Sequence, residues 1–198
     1  HQLHEKTGVL VHVDLEPEPG CHFDTAQGAV AFFEEHLPEE HHRRYLGICH
    51  DICHSAVMFE PQTAALRTYR QHGINVGKIQ VSSAIEVDFD SVDDPDRSLA
   101  AYRTFIEPRY LHQTVIQKNG VQRFFDDLPD ALAHCEASGT WRTHFHVPIF
   151  SVGTDAWSSS QAEIERCLAA IPQEDPLPTL EVETYAWNVL PSCLYEGG

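Results

Sequence analysis

A short segment of the chain, GICHDICHSAVMFE, concentrates side chains that can bind metal ions or transfer protons. Asp51 stands at its centre, with His50 and His54 on either side and Cys49 and Cys53 beside them. Carboxylate oxygen, imidazole nitrogen and thiolate sulfur are the groups with which proteins bind divalent transition-metal ions. The spacing of Asp51 and His54 suits two ligands where a strand enters a helix. We therefore predict that both bind a metal ion.

The other polar residues of this segment are expected to do less. His50 alternates with Asp51 and should face the opposite side of a strand, toward the helices. The cysteines of the chain include no C-x-x-C pair, and Cys49 and Cys53 are expected to be small packing residues. A disulfide framework is not expected in a chain of this size that is not dense in cysteine.

Short apolar runs, separated by helical patterns, must hold these residues in place. The predicted strands are Val9–Glu16, Tyr45–Asp51, Asn75–Val81, Arg142–Ile149 and Thr179–Tyr185. The predicted helices are Thr25–Leu37, Gln62–His72, Pro129–Ala137 and Ser160–Ile171. Strands that alternate with helices in this way predict a parallel sheet.

Each predicted strand has one apolar parity and one parity rich in polar and ionisable groups. A (β/α) barrel explains this pattern, because helices cover its outer face and its active site lies at the carboxyl ends of the strands. The polar residues nearest those ends are Glu16, Asp51, Gln80 or Ser82, His146 and Glu183. We therefore predict a TIM (β/α)8-type barrel. Since five strands cannot close it, we expect a fragment carrying about the last four or five β/α units.

Residues 1–189 are predicted to be the C-terminal portion of a single barrel, and residues 190–198 a tail. Within the barrel portion, residues 85–127 are predicted to be a long insertion or lid, with possible helices around Leu99–Phe105 and Tyr110–Lys118. His144 and His146 follow this insertion, so they could lie on a barrel strand or on an extra segment that supplies ligands.

Several carboxylates brought together inside a protein are costly unless a cation compensates their charge. We therefore predict a site for a divalent metal ion (Mn²⁺, Mg²⁺, Fe²⁺ or Zn²⁺), with the candidate ligands Glu16, Asp51, His54, Gln80, His144 and Glu183. The predicted catalytic residues are Glu16, Glu183, His146 and Lys78, and the predicted substrate-binding residues are Glu18, Arg142, Tyr185 and Trp187. The alternative is an ion-pair network in which Lys78 and Arg142 neutralise the carboxylates without a metal.

The overall charge of the chain excludes some partners. A formal net charge of −17, from 13 basic and 30 acidic residues, argues against binding to the phosphate backbone of nucleic acids. No apolar run approaches the roughly 20 residues that a membrane helix needs, so membrane insertion is not expected. We expect a cytoplasmic protein whose partner is a small-molecule metabolite; formation of oligomers is compatible with the sequence.

Three motifs, VDLEPEPG, DICH and LEVETYAW, resemble the xylose isomerase-like TIM-barrel superfamily. This group includes sugar isomerases and epimerases and the endonuclease IV type of AP endonuclease. DICH is similar to a D-T-C-H stretch of endonuclease IV whose Asp and His bind metal, which by resemblance marks Asp51 and His54 as ligands. Glu16 and Glu183 match glutamates that the family places at the ends of an earlier strand and of the last one.

A second set of motifs covers most of the chain and resembles the EboE-type metabolite traffic proteins of the same superfamily. The set consists of LEPEPG, GICHDICH, GKIQVSSA, EPRYLHQT, HFHVPIF and LEVETYAWNVLP. The resemblance implies the C-terminal half of such a protein. It also implies a metal-dependent, isomerase- or epimerase-like barrel that processes or transports prenyl or pigment-precursor metabolites.

One departure from the superfamily affects the functional prediction. Sugar isomerases of this group have a histidine ligand on the strand after the aspartate strand, where this chain has Gln80. The neutral amide oxygen of Gln80 favours an alternative function, a binding or trafficking module without turnover. A third hypothesis, a phosphodiesterase like endonuclease IV, is disfavoured by the acidic charge.

Overall fold

The computed structural model describes residues 1–171 and 177–183, which form a mixed α/β fold with one parallel and one antiparallel sheet. The helices are α1 Gln2–Thr7, α2 Ala26–His36, α3 Glu40–Arg43, α4 Ile52–Val57, α5 Gln62–Gln71, α6 Pro95–Arg103, α7 Leu128–His134 and α8 Ala162–Ala170. The strands are β1 Val13–Leu15, β2 Leu46–Asp51, β3 Val76–Val81, β4 Ser83–Asp88, β5 Thr114–Lys118, β6 Val121–Phe125, β7 Thr140–Val147, β8 Gly153–Thr154, β9 Trp157–Ser159 and β10 Thr179–Val182.

The parallel sheet has the strand order β1-β2-β3-β10. The alternation of apolar residues in its strands buries one face against α2, α5 and α8. The core between them includes Phe33, Ile48, Tyr69, Ile79 and Cys167. Four of the five predicted parallel strands are confirmed, although the first one is shorter than expected.

The antiparallel sheet has the order β6-β5-β7-β4-β9-β8 and packs its own core around Trp141 and Tyr102. Its strand β7 is the fourth predicted strand, and the prediction that this strand joins the parallel sheet is wrong. β7 pairs antiparallel with both β4 and β5. Polar and apolar residues alternate in β7 as they do in the parallel strands, and this alternation carries no information about strand direction.

The helix predicted around Tyr110–Lys118 is also wrong, since residues 114–118 form β5. Asn119 and Gly120 both have positive φ, 51° and 76°, which is the backbone of a type I′ turn. This turn returns the chain as β6, so the segment forms a hairpin. The helix predicted around Leu99–Phe105 is present as α6, and it begins earlier, at Pro95, behind the N-cap Asp94.

Helix α4 lies between the two sheets. It contacts β2 and β3 on one side and β4 and β7 on the other, and all six of its residues are buried. A side chain on α4 can therefore contact groups from both sheets.

The described strands do not close a barrel, so the predicted TIM (β/α)8-type barrel, of which we expected a fragment with about the last four or five β/α units, is not confirmed. In the part of the chain that the structure describes, no helix combines the length and apolar character needed to cross a bilayer.

Candidate metal centre

Asp51 is held in place at the junction of β2 and α4. Its Oδ1 accepts a hydrogen bond from the backbone N–H of His54 at 3.1 Å, which caps the helix, and another from Ser82 Oγ at 2.7 Å. Its Oδ2 is buried and accepts no hydrogen bond from an N–H or hydroxyl group of the described residues, and the Glu183 carboxyl lies within hydrogen-bond reach of the Asp51 carboxylate. One carboxylate oxygen thus stabilises the helix, whereas the other remains available to a ligand.

Three imidazoles converge on this side of α4. His54 comes from α4, and His144 and His146 come from one face of β7. The Nε2 atoms of His54 and His144 are 3.1 Å apart, and those of His144 and His146 are 3.0 Å apart. Two nitrogens bound to one zinc ion would lie about 3.3 Å apart, given Zn–N bonds of about 2.0 Å. The observed separations therefore suit ligands of one ion.

The outward nitrogens of two of these rings fix their tautomers. His54 Nδ1 faces the carbonyl oxygen of Pro17 at 3.0 Å, and His144 Nδ1 faces Gln113 Oε1 at 2.7 Å. Both neighbours are acceptors, so each Nδ1 carries a hydrogen and donates it. The Nε2 lone pairs of His54 and His144 then point at each other, which is unfavourable unless a proton or a cation lies between them.

Burial disfavours the protonated form of these rings. It lowers the pKa of His144 well below its usual value, and the neighbouring His54 and His146 lower it further. Burial also lowers the pKa of His146, to about 4. A divalent cation resolves the meeting of lone pairs without protonating either buried ring.

A group of carboxylates lies beside the imidazoles. Oxygens of Glu16, Asp51 and Glu183 all lie within 4.8 Å of one another, at the carboxyl ends of β1, β2 and β10. Burial raises the pKa of Glu16, and burial together with the Asp51 carboxylate raises that of Glu183 to about 8. Burial would also raise the pKa of Asp51, but His54 and His146 hold it below its usual range.

Several buried oxygen atoms in this region accept no hydrogen bond from an N–H or hydroxyl group of the described residues. Glu183 Oε2 and Gln80 Oε1 resemble Asp51 Oδ2 in being buried with no hydrogen-bond donor among the described residues. Gln80 sits directly beside Asp51 in the register of β2 and β3. Buried oxygens that accept no N–H or hydroxyl hydrogen bond among the described residues, next to three imidazoles, are an arrangement that a cation would satisfy. The residues present therefore fit a divalent metal ion.

The nature of the donors narrows the choice of metal. Four overlapping sets of possible ligands each lie within 4.8 Å: Asp51–His54–His146, Glu16–Asp51–Glu183, Glu18–His54–His144 and Cys53–His144–His146. Imidazole nitrogen favours Zn²⁺ and Fe²⁺ over Mg²⁺, which prefers oxygen ligands and bound water.

The predicted metal ligands are largely brought together by this arrangement. Glu16, Asp51, His54, His144 and Glu183 lie in the overlapping sets, and Gln80 lies beside Asp51. His146, predicted to be catalytic, lies among the possible ligands. Glu18, predicted to bind substrate, lies in the loop after β1 and has a carboxylate oxygen within 4.8 Å of ring nitrogens of His54 and His144.

The two predicted cationic residues lie elsewhere. Lys78 pairs with Glu181 at 2.5 Å, two residues before Gln80 on β3. Arg142 pairs with Glu86 at 2.6 Å and donates to the carbonyl of Ala56, beside a cavity of about 360 Å³ at the far end of α4. Neither forms an ion pair with the three clustered carboxylates in the described structure. Tyr185 and Trp187, predicted to bind substrate, lie outside the described residues, as does the predicted tail.

The structure adds residues that were not predicted to take part. Ser82 orients Asp51, and Gln113 orients His144. Cys53, expected to be a packing residue, has its sulfur within 4.8 Å of ring nitrogens of His144 and His146. Ser82 was expected near the strand ends as an alternative to Gln80, but no role was predicted for it, and the sequence around Gln113 does not indicate its pairing with β7. His50 faces the helices, as predicted, and contacts Gln62 at 2.7 Å.

Comparison with protein-family models, curated proteins and solved structures gives no match to this chain. The resemblance to the EboE-type and xylose isomerase-like proteins stays a prediction.

Proposed function

We propose that this chain is a metal-dependent acid–base enzyme of the isomerase or epimerase type, acting on a small hydroxy-carbonyl metabolite. The observation that carries the proposal is the meeting of the His54 and His144 Nε2 lone pairs at 3.1 Å, beside the buried carboxylate of Asp51. The Nδ1–H of His54 donates to the backbone carbonyl of Pro17, and that of His144 donates to the side chain of Gln113. Hydrogen bonds of this kind orient the rings of metal-binding histidines.

The residues that would hold the ion are Asp51, His54, His144 and His146. When bound, a divalent ion polarises a carbonyl or hydroxyl oxygen and stabilises the negative charge that develops on it. The surrounding residues keep the ligands apart from bulk water, since His54, His146 and Asp51 are all at most 5% exposed.

Glu16 and Glu183 are placed to move the substrate proton. They lie on the more open side of the cluster, with side chains 34% and 19% exposed. With its pKa raised to about 8, Glu183 can hold a proton near neutral pH and release it to a neighbouring base, and burial shifts the pKa of Glu16 in the same direction. One carboxylate would remove a proton from the carbon next to a carbonyl, and a carboxylic acid would return a proton to the product.

The parallel half of the fold supports a barrel-like architecture for this activity. Strands β1, β2, β3 and β10 carry Glu16, Asp51, Gln80 and Glu183 at or next to their carboxyl ends, as active-site residues of β/α barrels are placed. We propose that this sheet is part of a TIM-type barrel and that the antiparallel sheet is an insertion which adds His144 and His146 to its site.

A second candidate is a carrier that binds a metabolite at the metal without turnover. One observation favours it. Lys78, the cation that would assist a substrate oxygen, is occupied by Glu181. Processing or transport of a metabolite, as in the EboE-type proteins, is compatible with either candidate.

Titration of metal-free protein with Zn²⁺ and Mn²⁺ tests the proposal. We expect one equivalent to bind, and Asp51→Asn to weaken binding by about 100-fold. Asparagine caps helices as well as aspartate does, so this variant should stay folded. Asp94→Asn is the matched control, because Asp94 caps α6 through the same bond to the third residue of the helix. Absence of binding by the wild-type chain would disprove the metal centre.

Hydrogen exchange in D₂O separates the enzyme from the carrier. Metal-loaded protein is incubated with a panel of aldoses and hydroxyketones, and deuterium incorporation next to the carbonyl is followed by NMR. If the chain is an enzyme, we expect deuterium to enter one class of these sugars, and Glu183→Gln to abolish the exchange. Saturable binding of a panel member without exchange identifies the carrier instead.

A further inference from the structure

Cys53 occupies a position that packing alone does not explain. It is fully buried on α4, and its sulfur and one ring nitrogen each of His144 and His146 lie within 4.8 Å of one another. Two nitrogens and a sulfur around a zinc ion lie about 3.3 to 3.6 Å apart, given bonds of about 2.0 and 2.3 Å. The limit of 4.8 Å on the distances between these three atoms is therefore compatible with ligands of one shared ion.

The backbone around Cys53 is arranged to hold the sulfur at this point. The N–H of Cys53 donates to Ser82 Oγ at 3.1 Å, and Ser82 in turn donates to Asp51. These bonds link the position of Cys53 to that of the Asp51 carboxylate.

Strand β7 also contributes to the surroundings of the sulfur. Its register with β4 shifts between Ser83 and Ile85, opposite the β7 residues Val147 and Thr143, so the segment with both histidines bulges. Bulges of this kind redirect side chains next to functional sites. Burial raises the pKa of the Cys53 thiol well above its usual value, and within the bulge the Phe145 backbone N–H, which hydrogen-bonds the sulfur, offsets part of this effect.

We propose that Cys53 is a metal ligand together with His144 and His146, so that the centre selects Zn²⁺ over hard ions such as Mg²⁺ and Mn²⁺. The inference rests on the proposed function only in requiring that the centre binds a divalent metal. On binding, the S–H bond of Cys53 breaks, the sulfur donates an electron pair to the ion, and the proton leaves to solvent. Thiolate and imidazole ligands suit zinc, whereas Mg²⁺ and Mn²⁺ prefer carboxylate and water.

The apolar neighbours of Cys53 support the alternative, that it is only a packing residue. Its side chain joins a small core with Val57, Ala84 and Val115. A packing cysteine would leave the metal spectrum and the metal preference unchanged when it is replaced by alanine, and this difference makes the two roles separable.

Cobalt substitution tests the proposal directly. Metal-free protein is titrated with Co²⁺, and the near-ultraviolet charge-transfer band of a cobalt–thiolate bond is recorded. We expect the band in the wild-type chain and in the controls Cys49→Ala and Cys167→Ala, which remove other buried sulfurs. Cys53→Ala should lack the band, bind Zn²⁺ about 100-fold more weakly, and change its Mn²⁺ affinity by less than about threefold.

The outcomes distinguish this inference from the proposed function. Co²⁺ bound by the wild-type chain without the band, or a band that persists in Cys53→Ala, overturns the role of Cys53 while the metal centre stands. No binding of Co²⁺ or Zn²⁺ overturns both. X-ray absorption of zinc-loaded wild-type protein gives a measurement that needs no variant: a sulfur shell at about 2.3 Å is expected, and nitrogen and oxygen alone would contradict the proposal.

Discussion

At the scale of single residues, the candidate metal centre depends on side chains that each have a structural role and a role in the site. Asp51 caps α4 with one oxygen and presents the other to the imidazoles. His54 lies in the first turn of the same helix, so the bond that starts the helix also fixes the distance between two ligands. Local structure and the site are thus specified by the same few residues.

Gln113 is expected to act through the orientation of His144. Gln113→Leu removes the acceptor at His144 Nδ1, so the ring can adopt the other tautomer and turn its Nε2–H toward the site. We expect Zn²⁺ affinity to fall about 10- to 100-fold, measured by competition with a chromophoric chelator. Gln117→Leu, farther along β5, is the control and should bind normally. Equal affinities in both variants would show that Gln113 does not support the site.

The pKa of Glu183 predicts how the metal-free protein responds to pH. The folded chain keeps this proton up to about pH 8, whereas an unfolded glutamate with its ordinary pKa of 4.5 releases it. The folded state therefore binds more protons, and its contribution to stability falls as pH rises through this range. His146 has the opposite effect, but only between pH 4 and 6.5, which leaves pH 6.5 to 8 as the informative window.

Over that window, with a chelator present, the free energy of unfolding should fall by about 1–2 kcal/mol in the wild-type chain. Glu183→Gln has no titrating carboxyl at this position, so its free energy of unfolding should fall much less over the same pH range. Urea unfolding at several pH values measures both. A wild-type chain whose stability is flat, or a variant that follows it in parallel, would show that Glu183 is not held protonated.

At the scale of elements, helix α4 connects the two sheets, and the hairpin of β5 and β6 completes the antiparallel one. Gly120 in the turn has φ of 76°, and a Cβ there would meet no atom within 4 Å. Gly120→Ala should therefore cost about 1 kcal/mol through backbone strain alone. Thermal unfolding measures this loss, with Lys118→Ala as the control.

The turn residues Asn119 and Gly120 lie six and seven residues after Gln113, about 20 Å along the strand, so Zn²⁺ affinity should be unchanged in Gly120→Ala. Unchanged stability in this variant would contradict the assigned turn, and a weaker metal site would show that the hairpin supports the centre more directly than its position indicates.

Local signals account for the elements that could be predicted. Thr25, whose side chain accepts from the Gly28 N–H, and Gly73, with φ of 65°, mark the ends of α2 and α5. The antiparallel strands were harder to predict because only Ser82 separates β3 from β4, and no Gly, Pro or Asn marks where the second strand begins. The Asn119–Gly120 pair was a hairpin signal that the helical interpretation of β5 overlooked.

The site was predictable to the extent that strand parity specifies it. Parity and position in the strands predict that Glu16, Asp51 and Glu183 belong to one site, and their carboxylate oxygens lie within 4.8 Å of one another. The roles of Gln113 and Cys53 depend on how β5, β7 and α4 pack, and tertiary register of that kind leaves no periodic trace in the sequence.

At the scale of the whole molecule, the centre joins the two sheets. Asp51 and Glu183 belong to the parallel half, and His144 and His146 belong to the antiparallel half. An ion bound between them should stabilise both halves together, by about 2.7 kcal/mol at a concentration 100 times its Kd. Hydrogen exchange should then slow in both β2 and β7, whereas protection of one sheet alone would contradict a shared centre.

The most direct test of the metal centre is anomalous diffraction from a crystal of the chain grown with Zn²⁺ and measured on both sides of the zinc absorption edge. We predict an anomalous peak about 2.0 Å from the Nε2 atoms of His54 and His144, within reach of Asp51 Oδ2. Crystals that show zinc only at surface histidines, with the space between these two nitrogens empty, would contradict the account.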